Sequence, residues 1–232
     1  MKPLSILILA AALCMAGTRV FAAETAPPAA TGAEAAEPEH FLTNEEMQRT
    51  TEYKSKDGQV VKRWTADGLS AANYLKLIVE PVVYHPTATP TEQASQETLD
   101  QIAAALTNSA REKLGTKLQI VEAAGPGTLR LTTAITGVTI KTEGMKAYEV
   151  LPIAAVFGAA KAASGNRKLD VRLYIETRLA DSQTDEVLGV TMREVKGEDL
   201  KGKKDKLQVE DVEPAFEKAL NGALETLSER GF

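Results

Sequence analysis

Chemistry-bearing residues are scarce in this chain. One cysteine, Cys14, two histidines, His40 and His85, and one tryptophan, Trp64, are all that 232 residues contain of those types, and aromatics make up only 5%. The cysteine lies in an apolar N-terminal run, so a chain cut downstream of it keeps no thiol. That excludes disulfides, thiol nucleophiles and cysteine metal sites together. With no HExxH pattern and no Asp-rich loop of cation-binding spacing, the two histidines name no metal site. No GxSxG or SxxK arrangement occurs, and neither Gly125-Pro126-Gly127 nor Gly158 to Gly165 has Walker spacing. The sequence therefore assigns no catalytic residue, no cofactor and no metal ligand, and the expectation is a protein that is not an enzyme. Positive charge is also short, the formal net charge being −5, which argues against a nucleic-acid partner.

An apolar run long enough to span a bilayer is missing as well. Lys2 precedes an apolar stretch from Leu4 to Ala16, shorter than the roughly 20 residues a spanning helix needs. The following Val20-Phe21-Ala22-Ala23 suits cleavage after Ala22. Residues 1–22 are thus read as a signal peptide, 23–59 as a flexible acidic Ala/Pro-rich leader and 60–232 as a single α/β domain, exported to the periplasm. Cleavage moves the net charge from −5 to −7. Cys14 supports an alternative, an outer-membrane lipoprotein acylated at that residue. Lipoprotein processing prefers a small residue directly before the cysteine and Leu13 stands there, so the soluble form is preferred and membrane contact is not favoured. One acyl chain alone would in any case bind a membrane only marginally.

What is present is strand alternation. From Arg167 to Gly197, residues Leu169, Val171, Leu173, Ile175 and Leu179 share one parity while Asp170, Arg172, Tyr174, Glu176 and Arg178 share the other. Asp181 to Asp185 supplies turn chemistry, and Val187 to Val195 resumes an extended pattern, so an antiparallel hairpin is expected with one apolar face that needs a cover. Leu75 to Tyr84 reads as a buried strand disturbed at Pro81. Leu118 to Val121 and Leu129 to Ile135 read as two more, with Gly137 bending or bulging the second. Thr91 can cap a helix ending at Gly115, and Asp211 a second helix running to Glu229, each with an apolar stripe at spacings of three and four. The expected fold is α/β: a mixed, largely antiparallel sheet of about five strands with two amphipathic helices packed on it.

Two stretches stand out as candidate sites. His85 stands where a buried strand gives way to a Pro-rich loop, but its only fellow histidine lies in the leader, so an ordinary loop residue is expected. Val150 to Gly165 is apolar on nearly every side. Burial between layers is the preferred reading, and exposure of Ile153, Val156 and Phe157 as a docking surface is the alternative. The basic run Lys201, Lys203, Lys204 and Lys206 reads as a solvated loop.

The stretches RWTADGLSAANYLKLIVEPVVYHP, GTLRLTTAITGVTIKT and VLPIAAVFGAAKAASGNRKLDVRLYIETRLADSQTDEVLG resemble the bacterial envelope family known as domain of unknown function 3313, over roughly Val60 to Phe232. The resemblance implies an exported, often lipoprotein-type protein without assigned activity, and a fold similar to the TolB amino-terminal type. The functional expectation is a non-enzymatic envelope module that binds another envelope protein. The alternatives are a periplasmic hydrolase using His85 with a carboxylate, and a lipid-anchored form held through Cys14.

Overall fold

The computed structural model describes residues 39–55, 58–90, 94–142, 150–151, 169–196 and 207–232. Every described residue belongs to one compact unit, Ala35–Phe232. Its elements are α1 (Asn44–Gln48), β1 (Thr51–Lys54), β2 (Val60–Thr65), β3 (Lys76–Val79), β4 (Val83–Tyr84), α2 (Gln96–Leu114), β5 (Gln119–Ile120), β6 (Thr128–Thr142), β7 (Val150–Leu151), β8 (Leu169–Asp181), β9 (Val187–Lys196) and α3 (Val209–Glu229).

The strands make one mixed sheet in the order β1-β2-β9-β8-β6-β3-β5, with β4 and β7 also pairing to β6. Every pair from β1 across to β6 is antiparallel, as is β6 with β7, while β3 and β4 run parallel to β6 and β5 parallel to β3. The expected hairpin is β8–β9, near the middle of the sheet. Its turn is held by the Asp181 carboxylate, which accepts from the amides of Gln183 (2.8 Å) and Thr184 (3.0 Å), and Asp185 takes a left-handed φ of 60°.

Nine strands form among the described residues, where about five were expected. The apolar run from Leu75 is cut at Pro81 into β3 and β4, and the freed Val82 amide donates to Thr107 Oγ1 at 2.9 Å. β1 and β2 have mixed composition and gain strand structure by pairing, β1 on β2 and β2 on β9. Residues 39–55, assigned to the leader in the sequence reading, thus carry both a helix and an edge strand of the sheet.

The helix ends differ from expectation in detail. Ser95 caps α2, its hydroxyl accepting from the Thr98 amide at 3.2 Å, while Thr91 lies outside the described residues. Gln208 caps α3, and Asp211, expected as the cap, sits three residues on, where its carboxylate accepts from the Gln208 amide at 2.9 Å. Both helices lie on one face of the sheet. Leu99, Ile102, Leu106 and Leu114 of α2, with Phe216, Leu220 and Leu227 of α3, close over Leu77, Leu129, Ile135, Leu173, Ile175 and Val195. The apolar parity of the hairpin therefore has the cover it required.

Candidate functional site

The charged parity of β8 is covered too, which alternation alone does not suggest. Glu176, in mid-strand, is only 3% exposed. Its Oε2 accepts from the amides of Phe41 (2.8 Å) and Leu42 (2.9 Å), while Oε1 lies 2.5 Å from His40 Nδ1 and 3.5 Å from Thr136 Oγ1. Thr136 is the extra residue where the β6–β8 register shifts between Ile135 and Gly137, so the bulge lies where Gly137 suggested one. A buried carboxylate with this many donors is a strong anchor for the backbone it holds.

Residues 40–50 form a strap across this face. Thr43 and Glu46 close a reciprocal capping box on α1. Glu46 then reaches Arg178 Nε of β8 at 2.8 Å, and Arg178 also donates to Asp185 at 3.2 Å. Beyond α1, Arg49 stacks its guanidinium 5.3 Å from the Trp64 ring centre. The Phe41 ring meets His85 edge-on, with centroids 6.0 Å apart. The two histidines, 45 positions apart in the chain, therefore stand on either side of Phe41 at the same face.

Burial alone would raise the pKa of Glu46, but its hydrogen bonds from the Thr43 amide and from Arg178 outweigh that, so its carboxyl is held below the ordinary 4.5. Arg178 likewise holds Asp185 low. A depressed folded-state value means that Glu46 stabilises the strap fully above pH 4.5, and that this stabilisation is lost as pH falls through the lowered value. Amide exchange read against pH should accordingly show residues 44–49 losing protection on acidification before α2 does. Simultaneous loss in both would refute this local role.

Both Glu176 oxygens are committed to the strap, and His85 meets an aromatic edge while its backbone amide donates to the Ile135 carbonyl at 3.0 Å. Among the described residues no group of three His, Cys, Asp or Glu side chains could hold a metal ion, and no helix is long and apolar enough to cross a membrane.

The helix-covered face contains a cavity of about 100 Å³ between the sheet and α3. Arg63, Arg193, Thr65, Thr177, Thr191 and Thr226 contribute polar lining, Trp64 adds an aromatic, and leucines including Leu77, Leu131, Leu179 and Leu227 make up most of the rest. Gly189 on β9 and Ala219 and Ala223 on α3 leave the space open. At its rim Arg63 crosses from sheet to helix, donating to Thr226 Oγ1 (2.8 Å) and Glu229 Oε2 (2.6 Å) while lying over the Tyr53 ring. Tyr53 in turn donates to Glu229 and Glu225, and those carboxylates push its pKa up to about 12.

Ile153, Val156 and Phe157, the candidate contact residues, lie outside the described residues, as do Cys14 and the Lys201 to Lys206 run. Gly125 to Gly127 is a turn in which Gly127, at φ 66°, accepts at its carbonyl from the Leu75 and Lys76 amides. Neither the strap nor the cavity was legible as a site. The available signal was Glu176 itself, a carboxylate at the middle of a strand flanked on the same parity by Arg172 and Arg178, which alternation alone reads as a solvated face.

A profile described as "Protein of unknown function (DUF3313)" matches residues 37–223. Its start at residue 37 takes in the strap, some twenty residues ahead of the Val60 boundary read from the sequence. "Uncharacterized lipoprotein YdcL" of Escherichia coli K12 is 31% identical over 178 residues, covering 76% of this chain and 79% of that protein. Among solved structures, the PelC dodecamer of Paraburkholderia phytofirmans aligns at 11% identity with a TM-score of 0.35, over 70% of this chain and 96% of that one. A PDZ domain protein of Parabacteroides distasonis aligns at 16% identity with a TM-score of 0.36, over 72% and 35%. With a profile spanning most of the chain and a relative sharing nearly a third of its aligned residues, this protein belongs to the DUF3313 family of unknown function.

Proposed function

We propose that the protein is a non-enzymatic envelope module, held to a membrane through Cys14 and engaging another envelope protein. The observation that carries the non-enzymatic part is the commitment of Glu176. It is the buried carboxylate that His40 meets, and its acceptor sites hold the strap. A hydrolase using His85 would need a carboxylate free to orient the ring and a nucleophile within reach. The test is His85→Ala assayed on a panel of ester, amide and phosphate substrates. Turnover by the wild type that the variant loses would overturn the reading.

The anchoring part rests on the lipoprotein relative, which favours acylation of Cys14 over cleavage after Ala22. The 25 residues between Cys14 and His40 would extend at most about 90 Å, enough to place the domain well clear of a bilayer. The mass of the mature chain decides between the two: acylated Cys14 at its N-terminus is expected, and an N-terminus at Ala23 restores the soluble periplasmic form. Cys14→Ser should move the protein from the membrane to the soluble fraction. For the partner, Ile153, Val156 and Phe157 are the proposed contact residues. A photo-crosslinking aromatic at position 157 should give one discrete adduct in intact cells, and a folded protein giving none at all three positions removes the surface from consideration.

A further inference from the structure

Register sets three polar side chains in a row beneath α3. Arg63 of β2 is opposite Thr191 of β9, and Thr191 is opposite Thr177 of β8, so alternation sends all three to the helix-facing side. They line the cavity there. Both threonines are half-buried, and neither hydroxyl is among the buried polar atoms left without a partner, so each is open to a ligand and can donate once and accept twice. Arg63 spends donors on Thr226 and Glu229, yet a guanidinium carries five in all. Arg193, Thr65, Thr226 and Trp64 also line the space, and the rest of the wall is aliphatic.

The space is not forced by close backbone approach. A Cβ built on Gly189 would meet nothing nearer than the Trp64 carbonyl at 3.5 Å, an ordinary contact. A larger side chain could therefore have filled the cavity and recovered the dispersion contacts its lining now forgoes. Polar groups converging at one end of an apolar enclosure are the pattern of a small-molecule site.

We propose that this cavity binds a short-chain aliphatic carboxylate. The carboxylate accepts from Thr177, Thr191 and Arg63, sharing Arg63 with Glu229, while the tail lies against Leu131, Leu179 and Leu227. A dry apolar cavity of about 150 Å³ accommodates benzene, so six carbons exceed what this smaller space of about 100 Å³ encloses, and the tail of hexanoate, one carbon shorter, is the upper size. The proposal is independent of how the chain is anchored.

The test uses the whole chain with hexanoate, hexanol and hexylammonium as probes, read by methyl NMR shifts at Leu179 and Leu227. Hexanoate should bind about tenfold more tightly than hexanol, and hexylammonium should not bind. Thr177→Val with Thr191→Val keeps the side-chain shape and removes both hydroxyls, and should cost hexanoate about tenfold while leaving hexanol unchanged. Ala223→Phe, which fills the space, should abolish binding of both. Should that variant fail to fold, the double valine variant still decides. Equal binding of hexanoate and hexanol, no shift with hexanoate, or undiminished hexanoate affinity in the valine variant would each overturn the site.

Discussion

Phe216→Ala is expected to lower folding stability by about 3–5 kcal/mol. Phe216 is the one phenylalanine among the fully buried side chains of the described residues and is 2% exposed, on the stripe of α3 that packs over the sheet and α2. Its neighbours along that stripe, Ala215, Val212 and Leu220, are smaller and cannot collapse to refill the volume without moving the helix. A domain of ordinary stability holds about 5–15 kcal/mol, so one such change removes a large share. The check is a urea unfolding series in which the midpoint falls while the slope stays constant. Phe216→Leu, which preserves most of the volume, should lose less than about 1.5 kcal/mol. An alanine variant with an unmoved midpoint would mean that α3 does not seat on the sheet as described.

Glu176→Gln should destabilise the strap by about 2–4 kcal/mol. Glutamine can keep its oxygen for the Phe41 and Leu42 amides, but its NH₂ then replaces Oε1, so His40 Nδ1 has to accept instead of donate and the charge that strengthened every bond to the carboxylate is gone, in a site with almost no access to water. The loss has a ceiling, because residues 40–50 can lift away before the rest of the domain unfolds. Hydrogen exchange therefore discriminates better than a melting curve. Phe41 and Leu42 should lose protection in the variant while Leu106 and Ala110 of α2 keep theirs. Loss of protection through the whole domain would show that the strap is inseparable from the core, and unchanged protection would show that Glu176 does not hold it.

The legible parts of the fold were those written in local periodicity. The β8–β9 hairpin, the stripes of α2 and α3 and the break at Pro81 follow from spacing of two, spacing of three and four, and a missing amide. β1 and β2 were not legible because Thr51 to Lys54 and Val60 to Thr65 carry Glu, Lys and Arg among their apolar residues, and only pairing with β9 makes them strands. The strap escaped for a related reason. Residues 39–49 contain few hydrophobes, and what orders them is a carboxylate more than 130 positions away in the chain.

Taken alone, the order of residues determined the class of fold, which face of the hairpin is apolar, and the near absence of thiol, metal-ligand and nucleophile motifs, since each depends on residues adjacent or a few positions apart. Only the tertiary structure decided that Glu176 holds Phe41 and Leu42, that His40 and His85 share one face, and that Arg63, Thr191 and Thr177 line up under α3. Those arrangements depend on strand register and crossover, which bring together side chains whose separation along the chain carries no signal of their contact.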